Sequence, residues 1–344
     1  MSSDLPSFLE PLGKLEDLEL QNVAMRDLEF LRSIAAGRDK IGNLGITGNI
    51  GDYSALDAFK LYENLNIDPG DNKPLDQIMP YLAESTVYNL ALRRLTDPDL
   101  SLLPKVTTRL ELDRCGMTDL SSFNEGRTFS QLILNKCTGL SSLDGLQKLI
   151  AFTGHGGASL EIYLCPRLTD WSTLDGMYLH SLRITGGFSL PDFSTLRLNN
   201  LRLDSVADVT DLGFLEGMSN TNSCNFELVG LEELTSLMPL YRFKGEELGV
   251  QPQLAEQAED LVEAGCFWSY HIEYPQGGWE MDQLQVSLQS FEELETLPPS
   301  LLRHVTSVTV AGDRIVDPER YDVWTDWSGR GGPKIGRASC RERG

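Results

Sequence analysis

A Leu-x-Leu or Leu-x-Ile pair recurs along the first two-thirds of the chain. It begins at Leu18, Leu44, Leu65, Leu90, Leu110, Leu132, Leu160, Leu182 and Leu201, and once more at Phe226 with phenylalanine in the first place. Successive starts lie 19 to 28 residues apart. The pair alternates with period two, so each copy reads as a short strand with one buried face. A single copy is too short to bury that face by itself. Ten copies can bury it by stacking coil on coil, which restricts the chain to a solenoid. Parallel strands then line the concave side, and short helical or 3₁₀ returns form the convex side.

The clearest copies are LELDRCGMTDLSSF (110–123), LILNKCTGLSSLDGL (132–146), LEIYLCPRLTDWSTLDGM (160–177) and LRLDSVADVTDLGFLEGM (201–218). An aspartate recurs after each strand, at Asp27, Asp52, Asp119, Asp170 and Asp211. There it can accept from the free N–H groups that open a short helix. That role explains its regular recurrence better than acid–base chemistry does. The segments Met25-Arg-Asp-Leu, Gly51-Asp-Tyr-Ser-Ala-Leu, Met117-Thr-Asp-Leu-Ser-Ser and Val209-Thr-Asp-Leu carry the pattern best. With these residues the chain resembles a leucine-rich repeat protein of the short, internalin-like bacterial class, over about residues 15–240. The resemblance implies an α/β repeat solenoid of about ten repeats across residues 1–240, with a protein or peptide as its partner.

Cys115, Cys137 and Cys165 share one repeat position, three residues after the second apolar residue, and Asn49 holds it in the second repeat. These four read as a structural ladder inside the bend that satisfies backbone groups of neighbouring coils. The cysteines form no CxxC pair and have no nearby histidine, so free thiols are expected rather than a disulfide framework or a zinc site.

In each strand the residues flanking the apolar pair face the concave surface. Acids at these places are Asp17, Glu19, Asp68, Glu111, Asp113, Glu161, Asp204 and Glu227; bases are Arg93, Arg94, Arg109, Arg114, Lys136, Arg183 and Arg202. The face is near neutral on a chain of net charge -22. Arg93, Arg94, Arg109, Arg114 and Lys136 fall in three consecutive repeats. They are expected either to dock an acidic partner segment or to pair locally with Glu111 and Asp113. The excess of acid argues against nucleic acid and anionic membranes as main partners.

The rhythm stops at Leu240. Gln253–Ala264 reads as a helix, with Pro252 near its start and Gly265 as its stop. Residues 268–274 and 284–288 read as strands of a hairpin through Pro275-Gln-Gly-Gly, so 241–303 is expected to be a small α+β segment. Four of the five tryptophans lie after residue 267 and are expected to build its core. Ser290-Phe-Glu-Glu reads as a capping box, and Val305-x-x-Val308-x-Val310 as repeats resuming over 304–333. Residues 334–344, KIGRASCRERG, resemble translated read-through of a sequencing adapter, which implies that the native C-terminus is missing.

No GxSxG, GxxxxGK[ST], HExxH or complete GxGxxG occurs; Thr153-Gly-His-Gly-Gly-Ala lacks a nucleophile elbow and reads as an insertion. The expectation is a non-catalytic binding scaffold without cofactor or metal. It is expected in the cytoplasm, since neither a secretory signal nor a membrane-length apolar run is seen. The alternatives are the recognition module of an enzyme whose catalytic domain lies downstream, and a surface adhesin that has lost its anchor.

Overall fold

The structure is a computed structural model. It describes residues 15–70, 74–153, 157–186, 190–206, 208–218 and 223–273, and the backbone of strands at 284–288, 305–310 and 313–315. Among the described residues, twelve strands form one sheet in strict sequence order. They are β1 (Asp17–Asp27), β2 (Lys40–Asp52), β3 (Leu61–Asp68), β4 (Thr86–Arg93), β5 (Lys105–Asp113), β6 (Gln131–Asn135), β7 (Ala158–Tyr163), β8 (Tyr178–Thr185), β9 (Arg197–Asp204), β10 (Asn225–Val229), β11 (Gly245–Val250) and β12 (Phe267–Ile272). Every neighbouring pair is parallel. Short returns connect them, mostly 3₁₀ turns such as Ser54–Ala58, Ser172–Leu174 and Gly213–Leu215, with brief helices α1 (Phe30–Ile34) and α2 (Ile150–Thr153). This is a leucine-rich-repeat-like solenoid.

The ten expected repeat starts stand opposite one another in a single row: Leu18, Leu44, Leu65, Leu90, Leu110, Leu132, Leu160, Leu182, Leu201 and Phe226. The row runs two coils further, through Leu248 and Tyr270. From β2 to β11 these residues are essentially sealed from solvent, each contributing about 1.5–3 kcal/mol by burial. In β1 the inward Leu18, Leu20, Val23 and Met25 are only half-buried, because among the described residues β1 ends the row and packs against a neighbouring strand on one side.

The recurring aspartates close the returns. Each of Asp27, Asp52, Asp119, Asp170 and Asp211 accepts from the backbone N–H two residues on, at 2.7–3.2 Å. Asp99 and Asp192 do the same. Hydrogen bonds from the Ser121 and Ser172 side chains, and then from their N–H groups, hold Asp119 and Asp170 below the usual carboxylate range. In the return after β6, Gly145 adopts φ +106°, and a Cβ there would run into the carbonyl oxygen of Leu120. Only glycine fits.

Three expectations beyond residue 240 need correction. The sheet does not stop there, since β11 and β12 extend it in parallel register. Residues 268–274 and 284–288 are not hairpin partners either: β12 pairs with β11, whereas β13 (Leu284–Leu288) pairs parallel with β14 (Val305–Val310) in a separate three-stranded sheet. β14 also takes an antiparallel neighbour, β15 (Asp313–Ile315), an arrangement absent from the twelve-stranded array. The two sheets belong to separate compact units, divided at Glu273 and Tyr274. The expected helix does form, as α3 (Ala255–Glu263) after a 3₁₀ turn at Pro252–Leu254, and buries Leu254, Ala258 and Leu261. Gly265, at φ +69°, stops it. Trp268 is not core: it is 80% exposed on β12. The capping box at Ser290, the remaining late tryptophans, most of the glycine insertion and residues 334–344 lie outside the described residues.

Candidate binding face

The side chains between and beside the apolar pairs form rows across the concave sheet. In the row preceding the pair, Asn43 donates to Asp17, Asn64 donates to Asn43 at 2.5 Å, and Asn89 donates to Asn64 at 2.8 Å. Four coils are thus joined by hydrogen bonds from side-chain amides that a propensity reading does not see. Asn225 repeats the bond to Asn200 at 3.2 Å.

At the ends of β4–β7 and β9 the chain turns sharply. Arg94, Arg114, Lys136, Leu164 and Ser205 take φ between 51° and 56°, a left-handed conformation costing about 1 kcal/mol or more outside glycine. Each is held by its N–H, which donates to a carbonyl of the next coil at 2.7–2.9 Å. The turn brings Arg94, Arg114 and Lys136 to the rim in three consecutive coils.

Beneath this rim lies a layer of carboxylates. Arg94 Nε stands 2.7 Å from Asp68, Arg109 is 2.6 Å from Glu111, Arg114 is 2.8 Å from Asp113, and Arg93 approaches Asp113 at 4.0 Å. Asn135 adds a 2.8 Å bond to Asp113. Local pairing is therefore real, and it is layered: the arginine side chains are 36–51% exposed and their carboxylate partners 5–18%. Lys136 is exposed and makes no ion pair among the described residues.

Towards the other end the layering inverts. Arg202 is the covered partner, its side chain 16% exposed, beside Glu227 and within 3.7 Å of Asp204 and Glu273. Glu227 and Glu247 are 40% and 60% exposed. His271 lies between Glu247 at 3.1 Å and Glu273 at 3.2 Å, and the hydrogen bond to Glu273 holds its pKa above the ordinary histidine value. Arg183 stacks on Tyr163, 5.1 Å from the ring centre, and faces Asp204 at 3.9 Å. Tyr163 in turn donates to Glu161, which also accepts from Gln131 at 2.6 Å. A pocket of about 300 Å³ opens among Glu161, Arg183, Arg202 and Glu227.

The expected bases therefore fall into two groups, Arg93, Arg94, Arg109, Arg114 and Lys136 over β4–β6, and Arg183 with Arg202 over β8–β9. The pocket lies at the second group. Glu247 and His271, carried by the two strands that the repeat pattern leaves out, and Glu273, which directly follows β12, also belong to the face.

Cys115, Cys137 and Cys165 form the expected column. All three are buried free thiols, and each faces the carbonyl of the second apolar residue one coil back, Leu92, Leu112 and Leu134, at 3.3–3.7 Å. Burial pushes the Cys115 thiol up to about 11. Asn49 is not part of this column. It is exposed within β2, because that strand runs thirteen residues and continues past the point where later coils turn. Among the described residues no group of three or more His, Cys, Asp or Glu could hold a metal ion, and no helix is long and apolar enough to cross a membrane. Comparison with family models, with curated proteins and with solved structures finds no match to this chain.

Proposed function

We propose that this protein is a non-catalytic scaffold that recognises a protein or peptide on the concave face of its sheet, nearest in kind to the short internalin-like class. One observation carries the reading: across β3–β12 the concave rows set charged and amide side chains outward in fixed register, several of them bonded to a neighbouring coil as in Arg94–Asp68, Asn135–Asp113 and Arg202–Glu227, with a sealed core behind them. Pre-organised side chains on a rigid sheet lose little freedom on binding, which favours affinity.

A displayed library of random peptides, selected against the full chain, tests this. Captured peptides should lose binding when Lys136 or Glu247 on the concave face is reversed, and keep it when Lys148, whose ammonium caps the Ser121 carbonyl on a convex return, is replaced by glutamine. Peptides indifferent to both concave changes would overturn the assignment.

A further inference from the structure

The concave face displays opposite charge at two places, and the sign at each is set by which partner of the ion pairs lies on top. Over β4–β6 the carboxylates Asp68 and Asp113 are covered, and Arg93, Arg94, Arg109 and Arg114 project above the carboxylate layer with Lys136 beside them. Over β9–β12 the guanidinium of Arg202 is covered, and Glu227 and Glu247 project. Between them, the outward residues of β7 and β8 include Ser159, Ser181 and Thr185, while the charges of Glu161 and Arg183 lie next to each other. An approaching ligand meets a positive rim, a locally balanced stretch and a negative stretch, on a chain of net charge -22.

We infer that the occupant of this face is an extended polypeptide segment with segregated charge, its acidic end over β4–β6 and its basic end over β9–β12. The inference rests on the concave-face reading above and deepens it. Parallel strands are about 4.8 Å apart, so β5, at the centre of the positive region, and β11, which carries Glu247, are separated by roughly 29 Å. An extended chain covers that in about nine residues. Carboxylates at one end suit the arginine forks and ammonium groups at the other suit the glutamates. A uniformly acidic segment would be repelled by Glu227 and Glu247, and a uniformly basic one by the arginine rim. A nucleic acid strand fails for the first of these reasons.

The test uses the full chain and two labelled peptides of identical composition. One carries a block of glutamates and a block of lysines whose centres are about nine residues apart; the other alternates the same residues. Anisotropy at low ionic strength should give the segregated peptide an affinity about tenfold higher or more. Lys136→Glu and Glu247→Lys should each remove most of that preference, with unchanged circular dichroism as the check on folding. A photo-crosslinker in the acidic block should map to β4–β6. Equal affinity for the two peptides, with both sensitive to the concave substitutions, would overturn charge segregation and leave the concave face as the binding site. Failure of both peptides to bind, or binding insensitive to both substitutions, would overturn the two readings together.

Discussion

Cys137 aims its thiol at the carbonyl oxygen of Leu112 in the coil before it, 3.3 Å away. Cys115 and Cys165 repeat the contact one coil earlier and one coil later. A column of weak donors thus runs inside the bend, where an uncompensated carbonyl would be costly.

This column predicts chemical silence. Cys115, Cys137 and Cys165 should react with a thiol reagent only after denaturation, since burial blocks access to all three and also pushes the Cys115 thiol up. Cys137→Ala should cost about 1–2 kcal/mol through loss of a donor and of packing. Native labelling as fast as that of the unfolded chain would contradict the geometry.

The aspartates of the returns predict a second pattern. Asp119 accepts from both the N–H and the hydroxyl of Ser121, at 2.8 and 2.5 Å. Asp119→Ala should lower stability by about 1 kcal/mol, as for loss of a helix cap, and Asp119→Asn by less. Its carboxyl is held below the ordinary value. The benefit is therefore full above the unfolded pKa and is lost as pH falls through the folded one. Urea denaturation of wild type and variant at neutral and acidic pH should show the difference shrinking towards acid.

The fold was largely legible because each coil repeats one physical demand, and a repeated demand leaves a repeated residue. Leu18 through Phe226 stand in one row for that reason. Leu248 and Tyr270 belong to the row as well, but the pattern fades where tyrosine replaces leucine and where helix α3 replaces a short return. Asn49 was misplaced because its strand is longer than the later ones, which no local motif announces. Trp268 faces water although an aromatic residue is expected inside, because aromatic content does not report which side of a strand faces water. The candidate site was half legible. The bases could be counted, whereas their stacking over Asp68 and Asp113 depends on register and depth, which only the folded coil defines.

His271 gives a pH prediction. Its bond to Glu273, together with the charges of Glu273, Glu247 and Glu227, raises its folded pKa above the ordinary value of about 6.5. The stabilisation is therefore fully present below about pH 6.5 and is lost as pH rises through the raised value. His271→Gln should cost stability in mild acid and little in mild alkali. Thermal melts of both proteins from pH 5 to 9 check this, and a constant difference across the range would refute it.

Arg202 tests the covered layer at the negative end. Its guanidinium serves Glu227, Asp204 and Glu273, and Glu273 is 2% exposed. Arg202→Gln leaves that carboxylate with His271 as its remaining partner and removes the cation shared with Asp204 and Glu227; breaking a fully buried pair costs about 3–5 kcal/mol. Some solvent reaches Arg202, so about 2–3 kcal/mol is expected here. Glu227→Gln, which removes an exposed partner, should cost under about 1 kcal/mol. Equal losses from the two changes would place both charges in the same layer.

Arg114 and Lys136 occupy the same position in adjacent coils, with the same left-handed backbone, so they form a matched pair for reading the positive end. Arg114 covers Asp113, whose side chain is 5% exposed, whereas Lys136 covers no carboxylate among the described residues. Arg114→Glu would set a second carboxylate against a buried one, and a loss of about 1–3 kcal/mol is expected after allowing for the exposure of the arginine. Lys136→Glu should stay within about 0.5 kcal/mol. The contrast has a practical consequence: reversing the arginines disturbs the fold as well as the surface charge, and only Lys136 changes the surface charge alone. Chemical denaturation of the two variants measures it. If Arg114→Glu proved as mild as Lys136→Glu, the carboxylate layer would not be holding the rim, and the positive display over β4–β6 would need another support.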